Sequence, residues 1–327
     1  MPETSAPAPD GELGRDHDRP ALSRRAGLIS LGLLVVLAVW GIVGSIANSG
    51  DSLLSYPEAV LLGLVEGLTE YLPVSSTGHL AVVSELLGLN GTDAGKKASD
   101  AYVIAIQAGA IIAVLGIYRA RIVSLFKALA GRDDESRSLL WALVGGFLPA
   151  AVIGLLLGDV VKEKLFGTGP IVAAWFVGGL VILLAQRQGL VGGSTALEAI
   201  GLREGLIIGV AQALALWPGV SRSLVTILAA LLLGLTIGAA VEFSFLLGLI
   251  TLGAATAYEL LKSGGDIADQ FGIAQVALGL LIATLSAAFA VAWMVDYLER
   301  HSLAVFGWYR IALAVVVAGL MIGTTAL

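Results

Sequence analysis

The chain of 327 residues is 57% hydrophobic and 13% charged, with a mean hydropathy of +0.91. This excludes an ordinary soluble globule, whose charged share is about 25%, and reads as an all-α polytopic membrane protein. The net charge of -6 is spread over tail and loops with no basic block, which argues against a nucleic-acid partner, and zero cysteines exclude disulfides, thiolate metal sites and cysteine nucleophiles.

Residues 1–25 are rich in Pro, Ala, Asp, Glu and Arg and show no periodicity, so they are expected to form a disordered cytoplasmic tail. Residues 26–47 follow Arg24 and Arg25, are long enough to span, and are expected to form an extra N-terminal transmembrane anchor. A cleaved signal peptide is the rival, but the run exceeds the usual apolar core of such peptides and lacks a clear small-residue cleavage site. Further apolar segments lie near 57–90, 100–118, 139–158, 170–186, 204–234, 237–261, 273–298 and 303–326, within a membrane domain over 57–327.

Two of these segments are interrupted. Pro73-Val74-Ser75-Ser76-Thr77-Gly78 breaks 57–90, and Pro218-Gly219-Val220-Ser221-Arg222-Ser223 breaks 204–234. Irregular backbone is tolerated at membrane depth only where protein or a water-filled cavity covers it, so both segments read as re-entrant helix pairs. With Arg24 and Arg25 inside, the basic stretch Arg119, Arg121, Lys127, Arg132 and Arg137 falls in the cytoplasm, and the two breaks approach the bilayer midplane from opposite faces. This predicts an inverted repeat with halves near 57–186 and 204–326. An offset of 146 positions pairs Glu58 with Glu204, Gly63 with Gly209, Leu68 with Leu214, Val74 with Val220 and Ser75 with Ser221, and sets Glu66 opposite Gln212.

A helix that starts at a break directs its free N–H groups and positive dipole end into it, so two facing breaks make an anion site. Ser75, Ser76, Thr77, Ser221, Ser223 and Thr226 add hydroxyls, and Arg222 adds a planar charge suited to phosphate oxygens. The blander reading, that the serines and threonines are helix caps, is compatible with anion binding. Glu66 and Glu70 lie one turn apart on one helix face, where a divalent cation such as Mg²⁺ or Ca²⁺ would relieve their repulsion; a shared proton or a salt bridge to Arg222 is the structural alternative. His79 is the histidine of the hydrophobic body, since His17 lies in the tail and His301 in a terminal loop, and it could exchange protons or attack phosphorus. Gln107 and Gln212 read as ties between helices or as pocket lining. Glu242 opens a helix and could stand behind the site, whereas the tryptophans, Trp175 among them, read as anchors or packing.

The stretch EGLTEYLPVSSTGH from Glu66 to His79, with Pro218-Gly-Val-Ser-Arg222-Ser, resembles the two signature motifs of bacterial undecaprenyl pyrophosphate phosphatases, the bacitracin-resistance family. The resemblance covers about 57–326 and includes Gln107-Ala-Gly-Ala-Ile-Ile-Ala-Val, Gln212 to Trp217, Glu242-Phe-Ser-Phe-Leu-Leu and Tyr309-Arg310. It implies hydrolysis of the lipid carrier undecaprenyl pyrophosphate to the monophosphate used in cell-wall synthesis, in the bacterial cytoplasmic membrane, at a site open to the outer face. The implied partners are the polyprenyl pyrophosphate lipid and the membrane, and a homo-oligomer is left open. Two departures stand out: Leu224 and Val225 replace small residues after the Ser-Arg-Ser, and the N-terminal extension lies outside the family core.

The mechanism expected on this resemblance places the pyrophosphate across both helix ends, with a divalent cation on Glu66 and Glu70 and Arg222 on the departing phosphoryl group. Ser76 is the leading nucleophile, with His79 or Glu70 taking its proton; direct attack by His79 or by a metal-activated water is the competing version. A secondary transporter or flippase for an anionic lipid phosphate is the alternative function, because inverted repeats with broken helices also build transporters. A lipid phosphatase of the other class would need a further histidine between Arg222 and His301, and the sequence has none there.

Overall fold

The computed structural model describes residues 54–325 apart from 90, 92, 191 and 272. The tail expected over 1–25 and the anchor expected over 26–47 lie outside the described residues. In chain order the helices are α1 (Tyr56–Thr69), α2 (Ser76–Leu86), α3 (Asp93–Ile117), α4 (Arg119–Leu129), α5 (Arg137–Leu165) and α6 (Thr168–Arg187). They continue with α7 (Leu202–Gln212), α8 (Arg222–Leu232), α9 (Ile237–Phe271), α10 (Ile273–Leu298) and α11 (Ala304–Thr325), and no strand occurs among the described residues.

Stretches of α3, α5, α6, α9, α10 and α11 are long and apolar enough to cross a membrane, so the chain is an integral multi-pass membrane protein. Half of the spanning windows of α9 and α10 is buried, against 28% for α6 and α11, which places the first two centrally and the second two at the periphery. Outward leucines such as Leu155 and Leu156 need no polar cover in lipid.

The short helices begin at local signals. Ser55 caps α1 by accepting from the N–H of Glu58 at 3.4 Å, and Glu58 reaches back to the Ser55 N–H at 2.7 Å. At α7, Glu204 likewise accepts from the N–H of Gly201 at 3.0 Å, although glycine offers no side chain in return. α1 lies along α10 and α7 along α5, each through a glycine. A Cβ at Gly63 would come within 2.6 Å of the Gly279 carbonyl oxygen, and one at Gly209 within 2.6 Å of that of Gly146, so only glycine permits either backbone crossing. α9 packs on α3 and α8, and α11 packs on α6.

Two gaps in the helices position the site. One runs from Glu70 to Ser75, between α1 and α2. The other runs from a 3₁₀ turn at Ala213–Leu216 to Ser221, between α7 and α8. α2 ends where α6 begins, with Thr168 donating to Glu85 at 2.8 Å, and α8 ends beyond the far end of α6, where the Thr195 N–H donates to the Gly234 carbonyl at 3.0 Å. Both gaps therefore lie between the two ends of α6.

Candidate active site

Each gap closes on a serine with a positive φ, 72° at Ser75 and 78° at Ser221, and these are the only such non-glycine residues among those described. Side chains with a Cβ rarely adopt this backbone, and it persists where the surroundings enforce it. Each turn ends its gap where a helix begins, Ser76 opening α2 and Arg222 opening α8. The N–H groups of Ser76, Thr77 and Gly78 precede the first bond of α2, from the His79 N–H to the Ser75 carbonyl at 3.3 Å.

Between the gaps lies a chain of charge. Glu66 and Glu70, in and just beyond the last turn of α1, are 1% and 8% exposed. One oxygen of Glu70 accepts from the Ser76 hydroxyl, and the other accepts from Arg222 Nη2 at 3.2 Å. The Arg222 guanidinium also donates to the Ser244 carbonyl at 2.9 Å and lies 5.3 Å from the centre of the Tyr71 ring. A Cβ at Gly248 would fall on that guanidinium, so glycine there makes its room. Pairing offsets much of the cost of burying these charges. Among the described residues three buried side-chain polar atoms remain without a partner, namely Oε1 of Glu66, the Tyr71 hydroxyl and Nε of Arg222.

The hydroxyls of the second gap are engaged within the protein. Ser223 donates to the Leu72 carbonyl at 2.8 Å, tying this gap to the first, and Ser221 lies 3.0 Å from Ser223 while accepting from the Leu224 N–H at 3.2 Å. Thr226 bonds the Arg222 carbonyl and the Ser244 hydroxyl. Ser221 therefore is a cap as well, whereas Ser75 makes no side-chain cap. Thr77, in the first turn of α2, is exposed.

His79 does not meet Ser76. Its Nδ1 donates to the Ser75 carbonyl at 2.7 Å, and Nε2 lies 2.8 Å from the Tyr309 hydroxyl, with the two rings stacked. The i, i+3 spacing to Ser76 is not used, because the imidazole turns to the Ser75 carbonyl, which also accepts the His79 N–H. Of the two bases expected for Ser76, the structure brings Glu70 to it. Gln107 accepts from Thr256 at 2.9 Å, and Gln212 bonds the Gly146 carbonyl and Thr251, so both tie helices together. Glu242 pairs with Arg121 at 2.7 Å, which in turn reaches Glu198, and so stands away from the chain of charge.

Among the described residues no group of three or more His, Asp or Glu side chains gathers as a metal cluster. The donor set still fits a hard divalent ion, because Glu66 keeps an unpartnered carboxylate oxygen and such ions bind one or two carboxylates together with substrate phosphates. Glu70 fits less well, since both of its oxygens are taken.

Two residues named in the sequence, Trp175 as packing and Arg310 within the Tyr309-Arg310 string, have a place at the site that sequence reasoning did not give them. Trp175 donates from its indole to the Val74 carbonyl at 3.1 Å, and Arg310, fully buried, donates to carbonyls of both gaps. The available signal for Arg310 was its charge in the middle of an apolar segment.

The family model described as bacitracin resistance protein BacA matches residues 59–316. Among curated proteins, the chain is 44% identical over 264 residues to an undecaprenyl-diphosphatase of Sorangium cellulosum, covering 80% of this chain and 84% of that one. It is 42% identical to undecaprenyl-diphosphatase 1 of Chromobacterium violaceum, over 80% and 94% of the two chains, and 43% identical to undecaprenyl-diphosphatase 2 of Rhodospirillum rubrum, over 80% and 93%.

Proposed function

The chain belongs to the bacitracin resistance protein BacA family, and on that premise we propose that it hydrolyses undecaprenyl pyrophosphate to undecaprenyl phosphate and inorganic phosphate. It is thus a polyprenyl pyrophosphate phosphatase, returning the lipid carrier to cell-wall synthesis. The observation that carries this reading is the buried chain Ser76, Glu70, Arg222, which joins a hydroxyl, a carboxylate and a guanidinium across two opposed helix ends.

In the reaction, the pyrophosphate lies across the two N-termini, held by their N–H groups and by Arg222, whose Nε is without a partner. Ser76 Oγ attacks the terminal phosphorus while Glu70 takes the hydroxyl proton. The bond from that phosphorus to the bridging oxygen breaks, and the electron pair leaves with undecaprenyl phosphate. Water then opens the phosphoserine, releases inorganic phosphate and restores the hydroxyl. Arg222 neutralises charge as it moves to the bridging oxygen. Glu66 would hold a Mg²⁺ or Ca²⁺ ion, which supplies further neutralisation of phosphate charge when bound. His79, held by Ser75 and Tyr309, lines the first helix end.

We read the two gaps as the midplane ends of re-entrant pairs in an inverted repeat. Supporting it, the offset that pairs Ser75 with Ser221 also pairs Glu58 with Glu204 and Gly63 with Gly209, residues alike in conformation, capping and close packing. The packing of α1 on α10 is answered by that of α7 on α5. The basic stretch of α4 favours a cytoplasmic position for that end, which leaves the site open to the outer face of the cytoplasmic membrane. The transporter alternative gains nothing from a serine bonded to a carboxylate, which transport does not use.

The test is phosphate release from undecaprenyl pyrophosphate by detergent-purified protein, with Mg²⁺ or Ca²⁺ and with chelator. Metal-dependent release that Glu70→Ala and Arg222→Ala both lose supports the reading. Absence of release from folded wild-type protein, across metals and prenyl lengths, overturns it.

A further inference from the structure

Arg310 lies in α11 and is wholly buried, yet none of the ion pairs among the described residues includes it. Its four acceptors are all backbone carbonyls. Nη1 donates to Pro73 at 3.2 Å, Nη2 to Gly219 at 2.8 Å and to Ala174 at 2.9 Å, and Nε to Trp175 at 3.4 Å. A cation hidden from water and without a carboxylate is expensive, and inside a membrane protein such a group is a functional candidate by default.

The choice of carbonyls is informative. Pro73 stands two residues before Ser75, and Gly219 two residues before Ser221, so one guanidinium holds the same backbone position in both gaps. Those two serines are the strained residues that immediately precede α2 and α8, and such strain persists only where neighbouring groups fix it. The remaining donors anchor the fork to α6, so the two gaps are referred to one rigid element. The space for it is built in as well: a Cβ at Gly178 would lie 2.8 Å from Arg310 Cζ and closer still to its Nη2. Only a planar fork with several fixed donors reaches all four carbonyls together, and a lysine ammonium does not.

We propose that Arg310 is a positioning residue for the hydrolysis, a clasp that sets the separation and orientation of the two helix N-termini between which the pyrophosphate reacts. The inference rests on the phosphatase reading. It adds that the two ends work as a pair because this residue, remote from Ser76 and Glu70 in sequence and bonded to neither, holds both backbones. The buried charge also adds a fixed positive potential beside a polyanionic substrate. Its neighbour Tyr309 bonds His79, so consecutive residues of α11 support the first gap from two sides.

Two variants test it, Arg310→Lys, which keeps the charge and loses the fork, and Gly178→Ala, which keeps the arginine and displaces it. Both are assayed as full-length protein, with kcat expressed per mole of monodisperse folded enzyme. Misplacement of reacting groups by about 1 Å costs on the order of 100-fold, so kcat is expected to fall about 100-fold while KM for undecaprenyl pyrophosphate stays within about three-fold. A kcat per folded molecule within about three-fold of wild type in either well-folded variant overturns the proposal. So does failure of both variants to yield folded protein, which makes Arg310 a folding residue alone. An inactive wild-type protein instead overturns the phosphatase reading itself, so the two failures are distinguishable.

Discussion

At the scale of the residue, the identity of the groups at the site was legible and their partners only in part, since the Glu70 base for Ser76 and the ion pair to Arg222 were each expected as one of two alternatives. Glu66, Glu70, Ser76 and Arg222 stand out because ionisable and hydroxyl groups are costly in apolar segments without a task. The choice of Glu70 over His79 as the partner of Ser76 was left open by the sequence, because it depends on the imidazole turning to the Ser75 carbonyl, which no residue type announces. The role of Arg310 was hidden for a related reason, since backbone carbonyls, its partners among the described residues, carry no sequence signature. The role of Ser76 makes a direct prediction. Quenching with detergent near neutral pH during turnover of substrate labelled in its terminal phosphate should leave label on Ser76, and Ser76→Ala should lower kcat by about 10³-fold or more. Label on His79 would move the attack to imidazole. If instead Glu66 holds the divalent ion, Glu66→Gln should raise the Mg²⁺ or Ca²⁺ concentration needed for half-maximal phosphate release by at least about ten-fold. An unchanged metal titration would remove Glu66 from that role.

At the scale of the element, the helix order follows the apolar segments closely because length and hydropathy dictate membrane spans. The interruptions were legible too, since proline and small polar residues stop a helix. Their conformation was not. Proline and glycine at Pro73 and Gly219 draw the eye, and Gly219 does take a positive φ, yet so do the serines Ser75 and Ser221, whose residue type does not announce it. Ser75 makes no side-chain cap, so its side chain is not what holds the backbone there. Ser75→Val is therefore expected to destabilise by about 2 kcal/mol or more, and Ser75→Gly to be at least as stable as wild type. Thermal unfolding of the purified variants measures both. A valine variant as stable as wild type would show that the positive φ is not required in solution.

At the scale of the whole molecule, the reciprocal packing of α1 on α10 and of α7 on α5 was beyond reach of pattern reading, because it depends on glycines whose partners lie far away in sequence. The side of the membrane can be checked in a chain that has no cysteine of its own. With the proposed orientation, a membrane-impermeant maleimide should label Glu163→Cys in intact spheroplasts and Arg132→Cys only after lysis; the reverse pattern would place the site on the cytoplasmic face. The claim that two distant stretches of chain form one reactive centre is tested most directly by a double-mutant cycle across the gaps. Steady-state phosphate release from undecaprenyl pyrophosphate is measured for wild type, Glu70→Gln, Arg222→Gln and the double variant. Because residues that act as one unit are strongly non-additive, kcat/KM of the double variant should fall within about ten-fold of the worse single variant. Losses that simply multiply, or a single variant with near wild-type turnover, would contradict a shared centre.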